Sequence, residues 1–137
     1  MKFLIEDDFT VYTDNDTVNQ ILNLEGKKEL IRNRSEKAAI EEVNSFLHKK
    51  FETEKIYEKT GDERNETIVK LLVNITAWYF YSKLDSDQVP EVRQLRYAES
   101  IKELEQIANG IKYLDCEKKQ TNRIVDIISD PKQDNQY

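Results

Sequence analysis

The sequence contains little cysteine, glycine or proline. Its 137 residues include one Cys, three Gly and two Pro. With Cys116 alone, the chain cannot form an intramolecular disulfide or a site that needs two cysteine ligands, and this composition suits a reducing cytoplasm. Few Gly and Pro beside many Glu, Lys, Leu and Ile favour helices over a β fold with many turns. We therefore predict an all-α protein with one compact domain.

Long apolar segments are also missing. The longest apolar run, Ala77–Tyr81, is far shorter than the roughly 20 residues that span a bilayer. The first residues do not combine a charged segment, an apolar stretch and a cleavage site, as a secretory signal does. We expect a soluble protein without membrane association.

The charge balance is mildly acidic. The formal net charge is −6 and 35% of the residues are charged. Tight phosphate binding draws on clustered Lys and Arg, so we do not expect it as the main function. An acidic surface that faces DNA would let the duplex slide past without holding it.

Residue patterns for catalysis or metal binding are absent from the sequence. The single histidine, His48, lies near a predicted helix end and has no visible relation to a Ser or Cys nucleophile. Neighbouring acids such as Glu41–Glu42 and Asp7–Asp8 do not face one another on a helix. The segment TGDERNET lacks the ligand spacing of a calcium loop, and no glycine-rich phosphate loop occurs. We expect no catalytic residue, metal or cofactor, and so no enzyme.

Three stretches with helical spacing predict the long helices of a small bundle. The first follows Ser35, the second runs from Glu66 to about Leu84 behind an Asn65 cap, and the third extends from Pro90 to Asn109-Gly110. A short helix is expected from about Asp16 to Leu24. The expected core joins the three long helices through Val43, Phe46, Leu47, Leu72, Ile75, Tyr79, Leu95, Ile101 and Leu104.

The second long helix is apolar around most of its circumference, which predicts a central position in the bundle. Four consecutive bulky residues, Trp78–Tyr81, point in all directions from a helix. The core is their default place, but at least one should leave it and contact a partner. The connection before this helix, 51–64, is predicted as an extended assembly loop, with a plain solvated connection as the alternative. The predicted assembly interface comprises Ile56, Tyr57, Asp62, Glu63, Arg64, Trp78 and Tyr81.

Four segments, in this order and spacing, resemble the Mu-like head-to-tail connector family of tailed bacteriophages and prophages. They are FLIEDDF, AAIEEVNSFLHKKFE, TGDERNETIVKLLVNITAWYFY and VPEVRQLRYAESIKELEQIANG, and together they cover about residues 3–115. Asn65-Glu66 stands where similar proteins often have Asn-Pro, and the stretch after Asp115 has no counterpart. We accordingly divide the chain into a connector-like helical domain, 1–115, and a C-terminal extension, 116–137, that is expected to be a flexible, partly disordered tail.

The resemblance implies a structural role without chemistry. Such a subunit would join a dodecameric ring of identical subunits under the portal protein. It would also contact tail-side connector or stopper proteins. DNA would pass through without specific binding. The implied location is the virion neck, with the host cytoplasm during assembly, and an isolated preparation is expected as either monomer or ring.

A small regulatory or protein-binding module, similar to an antitoxin, is the competing hypothesis. It would need a recognition helix with exposed Arg and Lys side chains. The nearest candidate in the sequence, Arg93–Arg96, carries only two positive charges among acids.

Overall fold

The computed structural model describes residues 3–22, 26–83 and 89–120. Within these ranges the chain forms α-helices, one 3-10 turn at Gly61–Glu63 and no β-strand beyond a single bridge between Phe51 and Lys118. The all-α prediction is confirmed. The helices are α1 (Glu6–Tyr12), α2 (Asn15–Leu22), α3 (Lys27–Leu47), α4 (Thr53–Glu58), α5 (Glu66–Lys83) and α6 (Glu91–Ala108).

Helix α5 is the centre of the bundle, with α3, α6 and α1 packed around it. The consecutive residues Leu71, Leu72 and Val73 are all fully buried, although they point about 100° apart around the helix axis. Each such aliphatic side chain contributes about 1.5 to 3 kcal/mol by leaving water. The central position predicted for this helix is therefore confirmed.

Helix α3 begins at Lys27, eight residues before the predicted start at Ser35. Gly26 precedes it with a positive φ of 56°, and Ser35 is buried inside the helix. Ser35-Glu36-Lys37 reads like a helix start, but the preceding Lys, Glu, Leu and Arg residues are themselves good helix formers. The prediction that this helix begins after Ser35 was wrong.

The ends of the other helices follow their sequence signals. The Asn65 side chain accepts a hydrogen bond from the backbone N–H of Ile68 at 3.1 Å and caps α5 as predicted. Asp14 caps α2 by accepting a bond from the N–H of Thr17 at 2.7 Å. Helix α6 begins after Pro90 and ends before Asn109 and Gly110, the latter with a φ of 78°.

Most of the predicted core is confirmed, with one error. Val43, Leu47, Leu72, Ile75 and Leu104 are fully buried, and Phe46, Tyr79 and Ile101 pack against the core while half-buried. Leu95, however, is 54% exposed. It lies nine residues before Leu104, which places it about 180° away on the helix. Arg93 and Ser100 take the inward positions of this half of α6 instead.

Residues 114–119 pack against the helical domain. Leu114 is buried, the N–H of Glu52 donates to the carbonyl of Glu117 at 2.9 Å, and the N–H of Lys119 donates to the carbonyl of Lys50 at 2.8 Å. These contacts attach the first part of the predicted C-terminal extension to the bundle. The rest of that extension, 121–137, lies outside the described residues, as does the predicted disordered end.

Candidate functional site

The connection between α3 and α5 is folded onto the bundle, contrary to the predicted extended loop. It contains helix α4 and the 3-10 turn. Ile56 is only 4% exposed, and Tyr57 is half-buried with its ring 5.2 Å from the ring of Phe3 in an edge-on arrangement. Two residues of the predicted assembly interface are therefore not freely exposed, because the six-residue helix α4 buries Ile56 and half-buries Tyr57. Asp62 and Glu63 remain exposed.

Arg64 anchors the N-terminal segment to this connection. Its guanidinium forms a bidentate ion pair with Asp8, with Nη1–Oδ2 at 2.6 Å and Nη2–Oδ1 at 2.9 Å. It also donates to the carbonyl oxygens of Phe3 at 3.0 Å and Gly61 at 2.9 Å. The hydrogen bonds to Asp8 raise the pKa of Arg64, so the guanidinium stays charged although it is buried. Arg64 therefore holds the fold together and is not presented to a partner.

Further contacts join the N-terminal segment and the chain after α6 to the start of α5. The Tyr12 hydroxyl donates to the Glu66 carboxylate, which raises the pKa of Tyr12 to about 12. The Asn65 amide donates to the carbonyl of Asp115 at 3.0 Å. Cys116 lines a small cleft beside Asn65, and burial raises the pKa of its thiol to about 11. At neutral pH this thiol is protonated and therefore a poor nucleophile.

The aromatic residues near the end of α5 pack against other parts of the chain, two of them buried and two half-buried. Trp78 stacks on Tyr97 of α6 with ring centroids 4.1 Å apart. The hydroxyl of Tyr79 donates to Glu42 at 2.8 Å, and burial together with this bond raises the pKa of Tyr79 to about 12. Phe80 and Tyr81 are buried. Trp78 is half-buried and lies outside the buried core, so the expectation that at least one of the four leaves the core is confirmed. Its contact with a partner stays a prediction.

The structure does not bring the two groups of predicted interface residues together. Arg64 precedes α5, whereas Trp78 and Tyr81 lie in its last turns. At 1.5 Å per residue the separation along the helix is about 20 Å. These residues therefore do not form a single contact patch.

Two exposed leucines mark surfaces that sequence reasoning missed. Leu30 on α3 is 55% exposed and Leu95 on α6 is 54% exposed. Leu30 lies nine residues before the buried Ala39, the same spacing that separates Leu95 from Leu104, so each leucine is on the outer side of its helix. Leu30 was overlooked because α3 was predicted to begin after it. Helical phase alone, counted from the buried residues, would have placed both outside.

The first half of α3 is a basic surface on an acidic protein. It carries five basic side chains but one exposed acid, Glu29. Among the residues that the structure describes, none of the five forms an ion pair. Within the described residues, no acidic side chain neutralises these charges. The five are Lys27, Lys28, Arg32, Arg34 and Lys37.

Arg93 is not available as part of a recognition element. It is 3% exposed, donates to Asn74 at 3.5 Å and lies 3.8 Å from the Asp14 carboxylate. Burial lowers its pKa, while Asp14 opposes that shift. Arg96 pairs with Glu99 at 2.9 Å on the surface. Because Arg93 is buried, Arg93 and Arg96 do not provide the two exposed positive charges that the competing hypothesis would require.

Within ranges 3–22, 26–83 and 89–120, no group of three or more His, Cys, Asp or Glu side chains is arranged to hold a metal ion. His48 ends α3 on the surface. In the same ranges, none of the helices combines the length and hydropathy that crossing a membrane requires. The absence of a metal, a cofactor and a catalytic role stays a prediction.

Comparisons with known proteins identify no relatives. No family model matches the chain, and no curated protein or solved structure is significantly similar to it. The resemblance to the connector family therefore stays an expectation that depends on the segments quoted above.

Proposed function

We propose that this protein is a structural subunit of a head-to-tail connector in a tailed phage or prophage, an adaptor beneath the portal that continues the DNA channel. The observation that carries the proposal is the pair of outward helix faces around Leu30 and Leu95 on the helical bundle. A ring subunit needs two different contact faces, because each copy touches one neighbour on each side. The four segments that resemble the connector family, by their order and spacing, suggest that this ring is a head-to-tail connector.

The mechanism is mechanical and electrostatic. Helix α5 is buried over most of its circumference and forms the centre of the subunit, while the helices around it contact other proteins. The chain has a formal net charge of −6, so a channel wall built from its acidic surfaces repels phosphate and does not hold the passing DNA. The basic half of α3 is an exception, and subunit contacts that cover it remove it from the channel wall.

The proposed partners are the portal protein above the ring and tail-side connector or stopper proteins below it, in a dodecameric ring at the virion neck. Of the predicted interface residues, Asp62 and Glu63 are the best placed to contact a partner because both are exposed. Ile56, Arg64 and Tyr81 are buried and stabilise the fold. Their replacement would affect assembly by way of stability.

Deletion of the gene from the phage or prophage that carries it tests the proposal. We expect induced cells to accumulate filled heads and separate tails, and electron microscopy counts joined particles. Expression of the wild-type chain from a plasmid should restore joining. A variant with Leu30→Glu and Leu95→Glu should fail to restore it, although both positions are exposed and the variant should fold. Joined particles in normal numbers after deletion would exclude the connector role.

A nucleic-acid-binding regulator is the second candidate, and the basic first half of α3 favours it. That surface supplies the exposed Lys and Arg side chains which Arg93 and Arg96 do not. A regulator would bind duplex DNA with a strong dependence on salt concentration and on sequence. Fluorescence anisotropy with labelled duplexes separates the two functions, because a connector should bind DNA weakly and with no preference for sequence.

A further inference from the structure

The outer faces of α3 and α6 share one arrangement with opposite charges. On α3, Leu30 has Lys27 three residues before it and Arg34 four residues after it. On α6, Leu95 has acidic neighbours, with Glu91 four residues before it and Glu99 four residues after it. Residues three or four apart on a helix lie next to each other on its surface. Each leucine is thus bracketed by two like charges.

These charged groups are free to meet a partner. Lys27, Arg34 and Glu91 form no ion pair with any residue in the described ranges. Glu99 pairs with Arg96, but both side chains are about half exposed, and such surface pairs contribute little. Exchanging that pair for an intermolecular one therefore costs little.

We infer that the outer face of α3 on one copy binds the outer face of α6 on a second copy. In this contact Leu30 packs against Leu95, and the basic side chains of Lys27 and Arg34 face the acidic side chains of Glu91 and Glu99. The dimensions agree, since Lys27 and Arg34 are about 10 Å apart along α3 and Glu91 and Glu99 about 12 Å apart along α6. The inference rests on the proposed function and names its subunit contact.

The contact is heterologous because the two faces differ. A pair of copies joined in this way leaves one α3 face and one α6 face unoccupied, and each can bind a further copy. Repetition of the contact closes a ring or extends a filament. The same contact covers the basic surface of α3.

A single contact of this kind is weak. A few residues from each helix bury far less than the roughly 800 Å² per partner that is typical of a stable interface. The charges are exposed and are screened beyond about 8 to 10 Å at ordinary ionic strength. Detection therefore calls for a method that traps short-lived pairs.

Disulfide trapping between two differently tagged copies of the full chain tests the inference. Both copies carry Cys116→Ala, one carries Leu30→Cys and the other carries Leu95→Cys. We expect the mixed dimer to exceed either homodimer several-fold under mild oxidation at low salt. The matched control replaces Leu30→Cys with Val11→Cys, since Val11 is 70% exposed but lies outside both faces. At about 1 M salt, where screening acts within about 3 Å, the excess should disappear.

Charge reversal tests whether the charged side chains direct the pairing of the two faces. Lys27→Glu with Arg34→Glu on the Leu30→Cys copy should reduce trapping to the control level. Glu91→Lys with Glu99→Lys on the Leu95→Cys copy should then restore it. Two results would overturn the inference. One is a yield of mixed dimer no higher than that of the Val11→Cys control when neither copy has reversed charges. The other is a yield that does not change when the charges are reversed. Retardation of duplex DNA by the α3 face without trapping would also overturn it and assign that face to nucleic acid.

The outcome can be separated from that of the connector proposal. If trapping stays at the control level while gene deletion still yields unjoined heads, this subunit contact is wrong and the connector role stands. If trapping occurs but deletion leaves particles joined, the contact between copies stands and the connector role is wrong.

Discussion

Replacement of Arg64 by Met should destabilise the protein strongly. Arg64 and Asp8 have side chains that are only 7% and 9% exposed, and the guanidinium donates to Asp8, Phe3 and Gly61. Met fills a similar volume but provides no donor. The Asp8 carboxylate would then be buried without its counter-charge, and the N-terminal segment would lose its hydrogen bonds to the connection before α5 at Arg64.

The expected loss of unfolding free energy is about 3 to 5 kcal/mol, the usual cost of removing one partner from a buried ion pair. Most of it reflects the unpaired charge that remains and not the net contribution of the pair. A double variant with Asp8→Leu and Arg64→Met should therefore recover more than half of the loss, because no charge is left in the buried site.

Urea unfolding followed by far-UV circular dichroism measures these differences. Lys70→Met is the matched control, since Lys70 pairs with Glu103 at 3.1 Å and its side chain is 40% exposed. That change should cost less than about 1 kcal/mol. If Arg64→Met costs no more than Lys70→Met, the reasoning about the buried pair is refuted.

Three further predictions concern the core, the connection and the tyrosines. Leu72→Ala should cost about 2 to 5 kcal/mol and Leu95→Ala less than about 0.5 kcal/mol in urea unfolding, and equal losses would contradict the assigned faces. Ile56→Ser should lower the melting temperature clearly, because the side chain is buried, and an unchanged value would show that α4 is not packed. The pKa values of Tyr12 and Tyr79 are raised from 10.0 to about 12, so their stabilising effect is complete below pH 10 and is lost as pH rises to about 12. Tyrosinate absorbance that follows the curve of free tyrosine in the folded protein would contradict the last prediction.

Several elements were predictable because their determinants are local. The cap at Asn65, the start after Pro90 and the stop at Gly110 each depend on residues within one turn of the helix end. The central position of α5 followed from its apolar circumference. Local rules failed for α3, where Ser35 and Glu36 imitate a helix start inside a longer helix.

Other features depend on contacts between distant segments. Arg64 meets Asp8 across 56 positions in the sequence, so no spacing rule predicts the pair. The stacking of Tyr97 on Trp78 likewise joins residues far apart in the sequence, and it leaves Trp78 half-buried. The outer position of Leu95 was predictable, however, since counting from Leu104 by helical phase places it opposite the core.

The position of the protein in assembled particles tests the connector role most directly. An affinity-tagged chain that restores the joining of heads and tails can be located by gold labelling and electron microscopy of purified particles. The proposal predicts label at one vertex of each head, at the junction with the tail. Particles without label, or label spread over the capsid or the tail, would contradict it.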